Sequence, residues 1–381
     1  MREWGLMKIQ SVKLSKANAA VKGYSQANIS NLTSVSTSTL KEPLSFKGVA
    51  NIALRIEGMR EKPIGKKAVK KAKAAKLDSY RAIEGAKQLR GEVRKIQTQA
   101  ALMHKEAVEL LENGDFNKIG YIHSDGSTER EYRDFKQDGR TFEVIDYDDE
   151  DTEIRRIIAT PDKIKIFHFD TKEIKHNIYE FDDSGKLVKF GYDARESEDG
   201  DYKAKKYYEF GGEFGQLTSA AFGYKQTSSG AEKAKQIYSF DIDDTLDEYD
   251  EDYFLSSDGD VESKLNCKFE DNELVSYTTN YFDNGARNTF DEMFEFDSKT
   301  SQPKVYYNQG RFLNFSTDTI ASDEMVEFED GKYSAIYLNA TKYPGSKTAR
   351  RAFFYGDGYL LDGFSYYRKY GWADPEYELR I

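Results

Sequence analysis

The sequence of 381 residues has one cysteine, six prolines and no long apolar run. A single thiol, Cys267, cannot form a disulfide within the chain, which is typical of proteins that fold in a reducing compartment. So few prolines exclude a collagen-like or proline-rich linker architecture. Because no stretch of about 20 apolar residues occurs, we predict no transmembrane segment. The first 20 residues also lack the apolar core of a standard signal peptide.

The sequence also lacks the common motifs of catalytic and cofactor sites. It contains no P-loop, G-x-S-x-G, H-E-x-x-H or C-x-x-C pattern, and its four histidines show no metal-ligand spacing. One of them, His104, falls in a helical segment and is expected to face water. We therefore predict no cofactor and no metal site. The compartment stays open between the cytoplasm and export without a standard signal peptide.

Aromatic residues, in contrast, are abundant. The chain has 27 tyrosines and 24 phenylalanines, although 32% of its residues are charged and its mean hydropathy is −0.76. Disordered chains are poor in aromatic residues, so this composition indicates a folded core built from rings.

The net charge of −11 hides two halves of opposite sign. Residues 1–105 hold 22 Lys+Arg against 7 Asp+Glu, a net of +15, and residues 106–381 hold 34 against 60, a net of −26. The acidic bulk argues against broad nucleic-acid binding, because phosphate contacts need a basic surface. The basic segment favours an acidic protein partner, either the chain's own acidic region or that of a neighbouring copy.

A short repeat organises the C-terminal two-thirds. An aromatic-x-aromatic strand end followed by an acidic or glycine turn recurs seven times, as in YEFDDSGKL at Tyr179–Leu187. The aromatic anchors are Phe181, Phe210, Phe240, Phe269, Phe296, Phe328 and Tyr355. Their separations of 29, 30, 29, 27, 32 and 27 residues indicate one copied supersecondary unit.

Each copy reads as a β-hairpin. The anchor and the residue two before it are mostly apolar and the residue between is mostly polar, which predicts strands with one ring-lined and one charged face. Short loops make neighbouring strands antiparallel. We therefore predict a mainly β domain at residues 115–381, an antiparallel meander of about nine hairpins. Its ring-lined face must be hidden, either in a rolled or barrel-like sheet or beneath a helix.

The motif Y-x-F-D-x-x-G-x-L at Tyr179–Leu187 resembles the YD repeat of Rhs-type shell proteins. The rhythm of glycine and aromatic residues from about Lys172 to Ile381 is also similar to that of MORN-like repeats. Both resemblances imply a curved β scaffold without catalysis of its own.

A long basic helix is predicted at residues 61–114, after a flexible Ser/Thr/Asn/Lys-rich tail at residues 1–60. Pro63 suits a first helical turn, and Asn113-Gly114 is a stop signal. Apolar or small residues with heptad spacing run along this segment: Ala68, Ala72, Ala75, Ser79, Ala82, Ala86, Leu89, Val93, Ile96, Ala100, Met103, Ala107 and Leu110. Such a stripe predicts a helix that lies across its own β-array or pairs in an intermolecular coiled coil.

The densest basic cluster of the chain lies on this helix. Its members are Lys66, Lys67, Lys70, Lys71, Lys73 and Lys76. A solvated helix face is the plain interpretation of such a cluster. We take it as the candidate partner-binding site, and an acidic protein surface fits it better than nucleic acid or anionic lipid.

One segment resembles a catalytic motif. Phe240–Leu246 (FDIDDTL) is similar to the D-x-D-x-T motif of haloacid-dehalogenase-like phosphatases, which would make Asp241 the nucleophile and Asp243 the acid/base. Asp357 and Asp362 would then hold Mg²⁺. That family needs parallel strands alternating with helices, and no helical periodicity separates Ile237 from Phe364.

The leading functional prediction is a non-enzymatic structural or binding scaffold whose basic helix and acidic array pair with protein partners, including further copies. The alternative is an exported effector or surface-recognition protein with a targeting tail. A phosphatase is the third reading.

Overall fold

The computed structural model describes residues 46–113, 120–122, 129–138, 141–147, 152–160, 163–170, 175–212, 215–241, 243, 245–314, 317–370 and 376–380. The chain divides into two units, Met1–Val49 and Ala50–Ile381, and only residues 46–49 of the first are described. Most of the predicted tail lies outside the described residues. Its flexibility and its role as a targeting signal therefore stay predictions.

Helix α1 spans Phe46–Asn113. Its end agrees with the predicted stop, but residues 46–60, assigned to the tail, are helical, and Pro63 lies inside the helix rather than in its first turn. The extension has a packing reason. Leu54 is buried in the main core and the ring of Phe353 lies against Gly58, so these turns gain tertiary contacts that the local sequence does not reveal.

The described residues also form 21 strands. The first eleven are β1 (Gly120–Ile122), β2 (Glu129–Asp138), β3 (Thr141–Tyr147), β4 (Glu153–Thr160), β5 (Lys163–Asp170), β6 (Lys175–Asp182), β7 (Leu187–Tyr192), β8 (Arg195–Glu196), β9 (Tyr202–Gly211), β10 (Gln216–Gln226) and β11 (Glu232–Phe240). The others are β12 (Leu246–Leu255), β13 (Val261–Glu270), β14 (Glu273–Asp283), β15 (Asn288–Phe296), β16 (Pro303–Asn314), β17 (Thr319–Glu329), β18 (Lys332–Tyr343), β19 (Ser346–Gly356), β20 (Tyr359–Tyr370) and β21 (Glu376–Arg380).

Consecutive strands pair antiparallel, except that β7 and the short β8 both pair with β9 and not with each other. The predicted meander with one preceding helix is confirmed. Among the described strands no ladder joins β1 to β21, so the sheet is open, and α1 covers its ring-lined face. The described part of the chain has no helix that is both long and apolar enough for a membrane crossing.

The aromatic anchors all belong to the main core, on the sheet face that packs against α1. Six are buried and Phe328 is partly buried against the same cluster. Cys267 is fully buried there too, and burial raises the pKa of its thiol. These positions confirm the prediction that the repeated rings share one sheltered face.

A β-bulge accompanies every anchor. In each hairpin the strand that returns from the turn has one residue, opposite the anchor, that the ladder skips. The skipped residues are Val188, Thr218, Asp247, Val275, Lys304, Ser334 and Leu361. Such a bulge bends the strand and increases its twist.

A second irregularity follows five residues later in every repeat. The backbone there is left-handed, with φ between 48° and 63°. These residues are Asp193, Gly223, Asp252, Asn280, Gln309, Asn339 and Tyr366. Glycine, asparagine and aspartate adopt this conformation most readily, and five of the seven residues are of these types.

The two bends let the same strands build two further hydrophobic clusters on the face opposite α1. Tyr224, directly after Gly223, stacks on Tyr207 with ring centroids 4.1 Å apart, and Tyr367, directly after Tyr366, contacts Tyr337 at 5.6 Å. The prediction of a purely charged outer face was therefore wrong. The alternation of apolar and polar residues could not reveal the rings on this face, because the returning strand bends at its bulge.

The polar residue between the two aromatic residues of a strand end points to this second face, where it pairs with neighbouring side chains. The Tyr307 hydroxyl donates a hydrogen bond of 2.6 Å to Glu295 Oε1, and Lys342 Nζ lies 2.6 Å from Glu295 Oε2. Tyr337 and Lys347 contact Glu327 in the same way. Each glutamate is thus paired rather than merely solvated.

Two substitutions of one exposed residue test the left-handed position. We expect Asn339→Val to be less stable than Asn339→Gly by about 1–2 kcal/mol, because only glycine adopts this conformation freely. Urea denaturation of both variants measures the difference. Equal stabilities would contradict a conformational role, since both variants lose the same amide group.

Candidate binding face of the central helix

The inner face of α1 follows the predicted heptad. Ile96 and Met103 are partly buried against the main core, and the side chain of Leu110 lies outside the described set. The remaining stripe residues are buried: Ala68, Ala72, Ala75, Ser79, Ala82, Ala86, Leu89, Val93, Ala100 and Ala107. The stripe therefore packs on the chain's own sheet, and an intermolecular coiled coil through the same residues would require α1 to leave that sheet.

The helix runs along the array in the direction opposite to the repeat order. Its N-terminal half meets the last hairpins, and His104 meets the first repeat. The successive contacts are Gly58 with Phe353, Gly65 with Tyr333, Lys71 with Tyr306, Asp78 with Tyr277, Gly85 with Tyr238, Glu92 with Tyr208, and His104 with Phe181. From Gly58 to Glu92 the helix advances six or seven residues for each hairpin.

This registration follows from two dimensions of secondary structure. Seven helical residues rise about 10.5 Å, and the two strands of a hairpin span about 9.5 Å in the direction of their hydrogen bonds. One heptad therefore matches one hairpin to within about 1 Å. From the second to the seventh repeat, each hairpin therefore meets an equivalent point of the helix, and similar rings make the contact in each of these copies.

Small residues on α1 let those rings approach the helix backbone. A Cβ at Gly65 would lie 2.6 Å from the Tyr333 ring, and one at Gly85 would lie 2.6 Å from the Tyr238 hydroxyl. At the exposed Gly91, in contrast, an added Cβ would meet nothing within 4 Å. The glycines and alanines of the inner face thus make room for aromatic side chains from the sheet.

Ion pairs flank the apolar stripe. Glu57 pairs with Arg351, Lys71 pairs with Glu292, and Glu92 Oε2 lies 2.7 Å from Lys206 Nζ. In two of these three helix–array pairs, counted over the described residues, the acid is on the helix. The acidic array therefore neutralises little of the helix's positive charge.

The six predicted lysines divide by their position on the helix. Lys71 points towards the sheet, pairs with Glu292 and lies near the Tyr306 hydroxyl, and Lys76 is half-buried. The others are exposed: Lys66, Lys67, Lys70 and Lys73. Within the described residues, only Lys71 of the six takes part in an ion pair. The exposed lysines thus form the outer basic face of α1, which is where we place the candidate site.

The phosphatase interpretation does not survive the geometry. Asp241 lies in the turn after β11, in a sheet whose described strands all pair antiparallel. Its Oδ1 accepts hydrogen bonds from the backbone amides of Asp243 and Thr245, at 2.9 Å and 3.0 Å. The Thr245 hydroxyl and these amides lower the pKa of the Asp241 carboxyl. Asp182 makes equivalent bonds in the first repeat, so this acid shapes a turn.

His104 also differs from its prediction. It is half-buried, with its ring centroid 4.7 Å from that of Phe181, and burial lowers its pKa. It lies one residue after Met103, at the margin of the heptad stripe. The signal in the sequence was its adjacency to the apolar face.

A buried polar cluster lies in β12 and β13. Asp250 Oδ1 accepts hydrogen bonds from Ser263 Oγ at 2.7 Å and from Asn266 Nδ2 at 2.9 Å. The same Asn266 amide also donates to Glu248 at 2.5 Å. Burial, followed by the charge of Glu248, raises the pKa of Asp250 to about 6. Among the described residues, no group of three or more His, Cys, Asp and Glu side chains is arranged to hold a metal ion.

Comparisons with known proteins do not assign the chain to a family. No protein-family model matches it, and no curated protein matches it. The solved structure "Crystal Structure of TcdB2-TccC3-Cdc42" is similar over 68% of this chain and 18% of that chain, with 8% sequence identity and a TM-score of 0.16. This chain thus spans under a fifth of that neighbour's length, and so low a TM-score carries no argument. The hairpin meander is shown, whereas membership of the YD or MORN families stays a prediction.

A matched pair of glycine substitutions tests the packing of α1 on the array. We expect Gly65→Ala to destabilise the protein by about 1–2 kcal/mol, because its Cβ would overlap the Tyr333 ring. Gly91→Ala should stabilise it by about 0.5–1 kcal/mol, because only helix propensity changes there. Denaturant melts would show the opposite signs. A stabilising effect at both positions would mean that the helix does not lie on the sheet.

The buried carboxyl of Asp250 predicts a pH dependence. Its pKa of about 6 in the folded state exceeds the ordinary value of 3.8, so the folded state holds this proton more tightly than the unfolded state. This term therefore makes the protein more stable as the pH falls from above 6 towards 4. Asp250→Asn should raise the free energy of unfolding at pH 7 by roughly 1–3 kcal/mol.

The same variant should also lose the stability change between pH 7 and pH 4 that Asp250 causes. Unfolding of both proteins across this range measures the difference. An identical pH profile in the two proteins would show that Asp250 is not the titrating group.

Proposed function

We propose that this protein is a non-enzymatic scaffold that binds protein partners, including further copies of itself, through the outer basic face of α1 and the acidic array. The observation that carries the proposal is the side of the helix that stays exposed among the described residues. The sheet occupies the apolar stripe of α1, and the lysines of the opposite side stay exposed.

The charges of the array support the same conclusion. Residues 106–381 carry a net charge of −26, and many of their acids stand in exposed turns, such as Glu270 and Asp271. The basic face of one copy can pair with the acidic face of another copy, whereas two identical faces would repel each other. Such surfaces favour head-to-tail contacts, which build rings when they close and filaments when they do not.

Salt concentration offers a direct test of this assembly. We expect light scattering to show particles larger than one chain at about 0.01 M salt and dissociation at about 1 M, because the Debye length falls from about 30 Å to about 3 Å. Lys70→Glu with Lys73→Glu should reduce the low-salt particle mass, whereas Lys70→Arg with Lys73→Arg should keep it. A wild-type protein that stays monomeric at every salt and micromolar concentration would exclude self-assembly.

A further inference from the structure

A cleft of about 510 Å³ opens where α1 passes the last two hairpin turns. Lys62, Lys66 and Val69 line its helix side. Gly331, Lys332 and Tyr333 come from the turn between β17 and β18 and the start of β18, and residues 357–359 come from the turn between β19 and β20 and the start of β20. We call this site the Lys62 cleft. It combines lysines with apolar and aromatic walls, which is a composition suited to a folded acidic segment.

The lysines of the Lys62 cleft are only partly compensated. Lys62 Nζ lies 5.6 Å from the centre of the Tyr359 ring, and Lys66 is exposed. Lys332 pairs with Asp357 at 3.2 Å, but both side chains are largely exposed, so this ion pair contributes little. Three ammonium groups and one carboxylate thus line the cleft, and Glu329 and Asp330 stand exposed in the turn beside Lys332; among the lining residues the excess charge is positive.

The tip between β13 and β14 matches the cleft in charge and shape. Glu270, Asp271 and Glu273 are all exposed, and residues 270–273 carry no lysine or arginine. Asp271 and Asn272 both have left-handed backbones, with φ of 52° and 63°. This is the geometry of a tight two-residue hairpin turn, so the backbone that carries the carboxylates is fixed before any contact forms, and the Ser301 hydroxyl donates a hydrogen bond to Glu273.

The turn after β8 is also acidic, but its Glu196 pairs with Lys165 and its Asp201 accepts a hydrogen bond from the Ser228 amide. The turns of β6–β7, β15–β16 and β17–β18 each include or adjoin a lysine, namely Lys186, Lys299 and Lys332. Within one chain the acidic tip cannot reach the Lys62 cleft, because it belongs to the fourth repeat and the cleft to the sixth and seventh. A hairpin is about 9.5 Å wide, so the sheet holds them roughly 20 Å apart or more.

We propose that the Lys62 cleft receives the Glu270–Glu273 tip of a second copy of this chain. The inference rests on the proposed function and names the contact through which the copies associate. Three lysines of the cleft face three carboxylates of the tip, and the rings of Tyr333 and Tyr359 give the tip backbone an apolar seat. Self-assembly through the rest of the basic face would not need this pair.

Charge reversal on each side tests the contact. We expect Lys62→Glu with Lys66→Glu (the cleft variant), and Glu270→Lys with Glu273→Lys (the tip variant), each to weaken self-association by about tenfold or more. The matched controls are Arg94→Glu with Lys95→Glu on the same helix, and Glu198→Lys with Asp199→Lys in an earlier turn. All four residues changed in the controls are exposed. Sedimentation velocity measures association, and circular dichroism checks that each variant folds.

An equimolar mixture of the two variants provides the decisive measurement. In a mixed pair the acidic cleft of one variant meets the basic tip of the other, and the two unchanged surfaces also match. We expect the mixture to recover association near the wild-type level, which two merely misfolded proteins could not do. No recovery in the mixture would overturn the inference.

Two further outcomes separate this inference from the proposed function. If the wild type assembles and Lys70→Glu with Lys73→Glu disrupts it while the cleft variant does not, the Lys62 cleft is not the contact and the scaffold proposal stands. If the wild type does not assemble at any salt concentration, the self-assembly proposal itself fails.

Discussion

The match in length between one heptad of helix and one β-hairpin is the constraint on which the rest of the structure depends. An open sheet with a ring-lined face exposes that face to water unless another element covers it. A straight helix can cover seven repeats only if its own period keeps the same side turned to each of them. Because the two rises agree to within about 1 Å, alanine and glycine recur where rings arrive.

The bulges of the returning strands explain how so thin an architecture buries rings on both faces. The bulge opposite each anchor and the left-handed residue five positions later redirect the strand twice. Side chains beyond the second bend then pack on rings of neighbouring strands, as Tyr367 of β20 does on Tyr337 of β18. Glutamates that would otherwise be stranded there are paired with tyrosine hydroxyls and lysines, as Glu295 is with Tyr307 and Lys342.

Some of the charged side chains stabilise the fold, whereas others stay exposed. The first acids of the turns, such as Asp241 and Asp297, accept hydrogen bonds from their own backbone amides and so shape the hairpins. On the helix, Glu57 and Glu92 are paired with basic residues of the sheet, whereas most of the predicted lysines face outwards. The basic side of the helix and the acidic tips of the array thus stay exposed in the described part of the chain, which is the basis of the binding function that we propose.

Local patterns in the sequence determined much of this fold. The 27–32-residue spacing of the anchors, the alternation within each strand and the heptad of the helix each report which side of an element is buried, because a period is a property of one segment. The anchors, the antiparallel meander and the end of the helix at Asn113 could therefore be predicted. The spacing of asparagine, aspartate and glycine 11–13 residues after the anchors was a further signal that we did not use.

Only the tertiary structure decided which buried sides meet. The heptad stripe was compatible with a second helix or with the chain's own sheet, and contacts such as Gly65 with Tyr333 join residues far apart in sequence. The same long-range contacts turn Lys71 towards the sheet, partly bury His104 and extend the helix to Phe46. The period of a sequence pattern fixes which side of a helix or strand a residue occupies. The partner that this side meets depends on how the whole chain folds.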